Sequence, residues 1–137
     1  MTGGVMRHAA LVLLLGVLVI LGANEVFLRT RGASSPEEMI SRYVAAIRQG
    51  DVAAVAWLMP EGRADEAAIR TRIARYRDLP PGTRLTIEPL EHSVAAYLKG
   101  ARFSDGTRVI DEIGMQHYGG GFGSRWRLFF PPPGTMP

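Results

Sequence analysis

An aspartate and a histidine stand six positions apart, at Asp111 and His117, in the segment Thr107–Tyr118. The segment reads as a long strand, and along a strand alternate side chains share a face. Val109, Asp111, Ile113, Met115 and His117 fall on one side; Ile110, Glu112, Gly114, Gln116 and Tyr118 fall on the other. The first side is the more apolar. Burial among apolar neighbours raises a carboxylate's pKa and lowers that of histidine, which prepares an acid or a base for proton transfer. Asp111 and His117 are therefore the candidates for catalysis. The alternative leaves Asp111 solvated near the strand start, with His117 near the mouth of any pocket.

Other chemistry is poorly supplied. The 137 residues contain no cysteine, which removes disulfides, thiolate zinc sites, iron–sulfur clusters and a cysteine nucleophile. Glu91, His92, Asp111 and His117 include no H-x-H or H-x-x-x-H pair, so no metal is expected. The run Gly119-Gly120-Gly121-Phe122-Gly123 lacks a G-K-[ST] ending and joins two strands, unlike a phosphate loop. No G-x-S-x-G elbow for a serine nucleophile occurs. No cofactor is expected.

Two clusters suit contact with a partner. Arg70, Arg72, Arg75 and Arg77 form the one dense basic patch of the sequence. Such a patch can meet phosphates, anionic lipid or an acidic protein, or be an ordinary solvated helix face. Its one aromatic residue, Tyr76, belongs to an apolar stripe, so the stacking platform of a single-strand binder is missing and no nucleic-acid partner is expected. Phe129-Phe130, followed by Pro131-Pro132-Pro133, makes an apolar, extended edge able to dock a neighbour. Trp57 and Trp126 are most simply core or sheet-face residues.

These residues must be positioned by one small domain, since the length excludes two. Ser35, Pro36 and Glu38 form a capping box, and Met39, Ile40, Tyr43, Val44 and Ile47 then recur at helical spacing up to Gly50. Asp51 caps a second helix, Val52–Met59, stopped by Pro60. A third helix is predicted over Ala64–Leu79, with Ile69, Ile73 and Tyr76 as its stripe and Pro80-Pro81-Gly82 as its end. From Thr83 the period changes to two. Strands are predicted at Arg84–Glu88, with a bulge or edge position at Pro89, then at Val94–Phe103, Thr107–Tyr118 and Ser124–Phe130. Asp105-Gly106 is a tight hairpin turn. The fold class is α+β: three helices packed on one face of a curved, four-stranded antiparallel sheet.

The N-terminal segment sets the location. Ala9–Ala23 is fifteen residues without a polar side chain, about 22 Å of helix at ~1.5 Å per residue. Continuing to Leu28 gives twenty residues, with Asn24 and Glu25 able to reach the headgroup layer. Residues 1–28 are expected to be an uncleaved single-pass transmembrane anchor, with Ala9–Leu28 in the bilayer. A cleaved signal peptide fits less well, because cutting after Ala23 places Leu21 where a small residue is required. Arg7 and His8 before the run resemble a basic n-region, which places the domain on the extracytoplasmic side. Residues 29–35 read as a linker, 36–130 as the domain and 131–137 as a Pro-rich tail.

Charge supports the same division. The chain carries sixteen basic and thirteen acidic residues, with a pI near 9.8. Residues 1–32 hold Arg7, Arg29 and Arg31 against Glu25, a net +2, while residues 33–137 are at +1. Much of the excess borders the apolar run, where lipid headgroups lie.

The pattern S-P-E-E-x-x-x-x-Y-x-x-A-x-x-x-G-D at Ser35–Asp51, followed by Val52–Leu58, resembles the opening of nuclear-transport-factor-2-like domains. The later D-G-T-R…G-x-x-W-R-L pattern, Asp105 to Leu128, is similar to the last two strands of small extracytoplasmic members of that superfamily. The resemblance covers about residues 35–130 and implies a helical hairpin on a strongly curved sheet, forming a cone. It implies little about activity, because that fold carries enzymes, binding proteins and interaction modules. Ketosteroid isomerase and scytalone dehydratase, on the same fold, use acidic, His and Tyr residues in the cone. Their motifs have no residue-by-residue match here, so no catalytic role is carried over.

Three functions follow in order. The first is a non-catalytic interaction module, an accessory subunit docking to a membrane or envelope protein complex. The second is a cone that binds a small hydrophobic molecule or lipid. The third is an isomerase- or dehydratase-like enzyme using Asp111 and His117.

Overall fold

The computed structural model describes residues 31–92, 94–119 and 125–132. The expected membrane anchor, Gly120–Ser124 and the tail from Pro133 lie outside the described residues. Among the described residues, no helix is long and apolar enough to cross a membrane.

Helix α1 spans Pro36–Gln49 and starts where its cap dictates. The Glu38 N–H donates to Ser35 Oγ at 3.1 Å. The returning half of the box differs from expectation: the Glu38 carboxylate accepts from Ser34 N–H at 2.9 Å and from the Ser34 hydroxyl. The helix stops at Gly50, whose N–H reaches the carbonyls of Ala46 and Ile47. Helix α2, Val52–Leu58, is capped by Asp51, which accepts from Ala54 N–H at 3.0 Å.

Helix α3 spans Glu66–Arg77, shorter at both ends than the expected Ala64–Leu79. Asp65 Oδ1 accepts from Ala68 N–H at 3.2 Å, which makes Asp65 the cap and puts Ala64 outside. At the other end, Pro80 disfavours a helical conformation at Leu79.

The four strands pair in chain order as an antiparallel meander: β1 Thr86–Glu91, β2 Leu98–Ser104, β3 Val109–Tyr118 and β4 Arg125–Phe129. Strand β1 begins later and runs further than Arg84–Glu88. It passes through Pro89 opposite Ala101 without a register shift, and the shift falls instead at Phe103/Ser104. Pro89 is tolerated because β1 is an outer strand. Strand β2 starts four residues after the expected Val94. His92 explains the difference: its Nδ1 accepts from the N–H groups of Val94 at 3.2 Å and Ala95 at 3.1 Å, donors that a strand would have paired. The β2–β3 turn is held by Asp105, whose Oδ1 accepts from Thr107 N–H, Thr107 Oγ1 and Arg108 N–H at 2.7–3.0 Å.

One sheet face meets the helices. Ala101, Phe103, Asp111, Ile113, Met115 and Leu128 are buried there with Met39, Tyr43, Ile47, Val55, Ile69 and Ile73. Full burial of an aliphatic side chain contributes about 1.5–3 kcal/mol, so this single core carries the fold. On the opposite face Gly114 lies beside Phe129 of β4, where a Cβ would run into the Phe129 ring. Arg102 on the same face joins Glu88 at 3.5 Å to Glu112 at 2.8 Å.

Candidate functional site

Strand parity places Asp111 on the helix-facing side, as expected from the sequence, but its surroundings are those of a core. The residue is 2% exposed. Tyr76 Oη donates to Asp111 Oδ2 at 3.0 Å, and Tyr43 Oη donates to the same oxygen. Arg72 Nη1 donates to Asp111 Oδ1 and, at 3.0 Å, to the Glu112 carbonyl. The Arg72 guanidinium lies 3.8 Å from the centre of the Phe130 ring, and Phe103 packs near both tyrosines. Each carboxylate oxygen of Asp111 therefore has a donor, and aromatic rings pack beside the ion pair.

The electrostatics follow from this enclosure. Burial pushes the Tyr43 hydroxyl far above the ordinary tyrosine value, and the adjacent Asp111 charge pushes it further. Tyr76 is raised for the same two reasons, burial first. Both therefore stay protonated and keep donating to Asp111.

His117 lies elsewhere. Six residues of strand separate it from Asp111, about 20 Å at ~3.4 Å per residue. Its ring packs on Trp126 at 4.9 Å between centroids, and its backbone N–H donates to the Tyr97 carbonyl at 2.9 Å. Asp111 and His117 share a face without meeting, so one substrate atom does not reach both. Among the described residues, no group of three or more His, Cys, Asp or Glu is placed to hold a metal ion.

The basic patch on α3 divides. Arg70 is exposed and pairs with Glu66 at 2.7 Å, one turn away. Arg75 is exposed beside a depression of about 370 Å³ that Arg72, Val109, Asp111, Glu112 and Pro131 also line. Arg77 is exposed and lies against Gly50. Arg72 departs from the solvated arc: its side chain is 13% exposed and points at Asp111. Phe129 and Phe130 also part company. Phe130 closes over Arg72 and Tyr43, while Phe129 covers Gly114 on the other face.

A second basic cluster, not anticipated from the sequence, surrounds the segment Arg31–Ala33. Ala33 bridges the outer edge of β4: its N–H donates to the Trp126 carbonyl at 3.0 Å, and Trp126 N–H donates back at 2.8 Å. The Gly32 carbonyl accepts from Arg42 Nη1 at 2.9 Å and Arg125 Nη2 at 3.1 Å. The Arg31 carbonyl accepts from Arg125 Nε at 3.2 Å and from Arg127 Nη1. Arg31 itself stacks over Trp57 at 4.5 Å and donates to the Met59 carbonyl at 3.3 Å. Gly32 has φ +77°, and a Cβ there would strike the Trp126 carbonyl, so the crowding requires glycine.

Like charges held this way repel. At an effective dielectric of about 20, two cations ~6 Å apart cost about 3 kcal/mol. Burial lowers the pKa of Arg127, and the charges of Arg125 and Arg31 lower it further. Within this cluster Glu38 offsets part of the charge, 2.5 Å from Arg42. The R-x-R pair at Arg125 and Arg127 was the visible signal; its partners come from distant segments.

Compared with known proteins, the chain matches no protein-family model, no curated protein and no solved structure.

Proposed function

We propose that the chain is a non-catalytic, membrane-anchored interaction module: an accessory subunit whose extracytoplasmic domain docks to a membrane or envelope protein complex. The order of three helices then four antiparallel strands supports a nuclear-transport-factor-2-like cone as its framework. The observation that carries the reading is the state of Asp111. The carboxylate most able to do chemistry is committed to Tyr43, Tyr76 and Arg72 in the core, and it stands about 20 Å of strand from His117. What the domain presents outward is contact surface, with Arg70, Arg75 and Arg77 on α3 and Phe129 on the sheet.

The test is purification of the full chain from native membranes in mild detergent, followed by mass spectrometry of co-migrating proteins. Stoichiometric membrane or envelope proteins in the peak are expected. A chain that runs alone and monodisperse would overturn the accessory-subunit reading.

A further inference from the structure

Helices α1 and α3 each carry an exposed arginine in the last turn, Arg48 and Arg77. Arg77 lies against Gly50, the residue that ends α1, where a Cβ would strike its Nη2. The two arginines border one depression of about 240 Å³. Ile47 and Tyr76, both buried, and Leu79 give it an apolar floor. The turn Pro80–Thr83 forms a further wall, and Thr83 braces it: its N–H and its hydroxyl both donate to the Pro80 carbonyl, at 3.2 and 2.6 Å. Among the described residues, neither Arg48 nor Arg77 has an ion-pair partner. Asp78, the acidic neighbour of Arg77 in sequence, lines a separate depression with Gly50 and Val52. The partial negative charge of a helix C-terminus favours an arginine at each end. It does not account for both arginines bordering the same apolar hollow.

We propose that Arg48 and Arg77 form a binding site for a small organic carboxylate, its charge held by the two guanidiniums and its apolar body resting on Ile47, Tyr76 and Leu79. Planar guanidiniums offer paired N–H donors that match the two oxygens of a carboxylate. The floor selects against a bare inorganic oxyanion, because only a ligand with an apolar body takes that surface out of water. The volume lies below the roughly 300–1,000 Å³ of sites for drug-sized molecules, which limits the body to a single ring or a short branched chain. Tyr76 lends its ring to this floor while its hydroxyl stays on Asp111. The inference goes beyond the docking reading and takes only Arg77 from its contact surface, since Arg70, Arg75 and Phe129 do not line the depression.

The test titrates the full chain, purified in mild detergent, with benzoate at constant ionic strength while backbone amide NMR shifts are followed. Saturable shifts centred on Ile47, Leu79 and Thr83 are expected, with a Kd of about 1 mM for a ligand this small. Arg48→Gln/Arg77→Gln should weaken benzoate about tenfold, the scale of two exposed ion pairs, while Arg70→Gln/Arg75→Gln leaves it unchanged. Should the double variant fail to fold, Arg48→Gln alone should weaken it about threefold. Benzyl alcohol, which keeps the ring and lacks the charge, should bind about tenfold more weakly. Inorganic phosphate, which has the charge and lacks the ring, should leave the floor amides unmoved. Benzoate that does not saturate these amides, or that binds the arginine variants as tightly as the wild type, would overturn the site. Equal binding of benzyl alcohol would remove the role of the arginines. Phosphate saturating the same amides as tightly as benzoate would overturn the organic carboxylate in favour of a bare oxyanion.

Discussion

Tyr76 donates its hydroxyl to Asp111 at 3.0 Å, joining the last turn of α3 to the helix-facing side of β3. The same carboxylate oxygen receives Tyr43 of α1, so one aspartate ties two helices to the sheet. A bond set that spans three elements belongs to the stability of the whole domain.

Replacing Asp111 by Leu should destabilise the domain by about 3–5 kcal/mol, because Arg72 keeps its charge and loses its partner. Asp111→Leu/Arg72→Leu should recover only part of the loss, since it removes both charges but leaves the buried Tyr43 and Tyr76 hydroxyls without their acceptor. Urea unfolding followed by fluorescence reads both. A single variant as stable as the wild type would remove the structural role assigned to Asp111.

Alkaline pH should unfold the domain from about pH 10 upward. Tyr43 and Tyr76 have folded pKa values raised above the ordinary 10.0. Their contribution is fully present below the unfolded value and is lost as pH rises toward the folded ones, by up to about 1.4 kcal/mol per pH unit for each tyrosine. Tyrosinate absorbance should show Tyr43 and Tyr76 ionising only as the domain unfolds. Tyr43 and Tyr76 ionising near pH 10 in the folded state would contradict this.

The β2–β3 turn has an acid window of its own. The Thr107 hydroxyl and N–H, with Arg108 N–H, hold Asp105 down to about 2. Its support for the turn is present above the unfolded value of 3.8 and is lost as pH falls through about 2. A carboxyl-carbon NMR titration should place the Asp105 midpoint near 2; a midpoint at the unfolded value would mean that the turn bonds do not form in solution.

Gly114→Val should cost about 1–3 kcal/mol by forcing the Phe129 ring out of its place on β4. Gly114→Val/Phe129→Ala should recover part of that cost. Additive losses, measured by chemical denaturation, would show that the two side chains do not compete for the same space.

Local signals were legible and long-range gathering was not. Caps at Ser35 and Asp51 and the stripes of α1 and α3 are written within a few residues, and the three helices follow from them, the third trimmed by its cap at Asp65. The start of β2 was misread because His92 uses a side-chain nitrogen to hold the following N–H groups, a competition that apolar alternation does not reveal. Arg72 was grouped with Arg70, Arg75 and Arg77 by spacing along one helix, yet its direction is decided by Asp111, 39 residues later. The cluster around Gly32 draws arginines from α1 and β4, up to 93 residues away from the carbonyl they share.

The bridge between Ala33 and Trp126 also has a consequence for timing. A ribosome delivers Ala33 long before Trp126, and Tyr43 waits 68 residues for Asp111. The helices emerge with their apolar faces exposed and remain without a sheet until the C-terminal strands are translated. Nascent chains stalled before Trp126 should therefore be cut readily by protease, and chains in which Phe130 has cleared the ribosome should resist it. Folding of this domain is thus a late event in its synthesis, and the growing chain depends on its surroundings for protection until then.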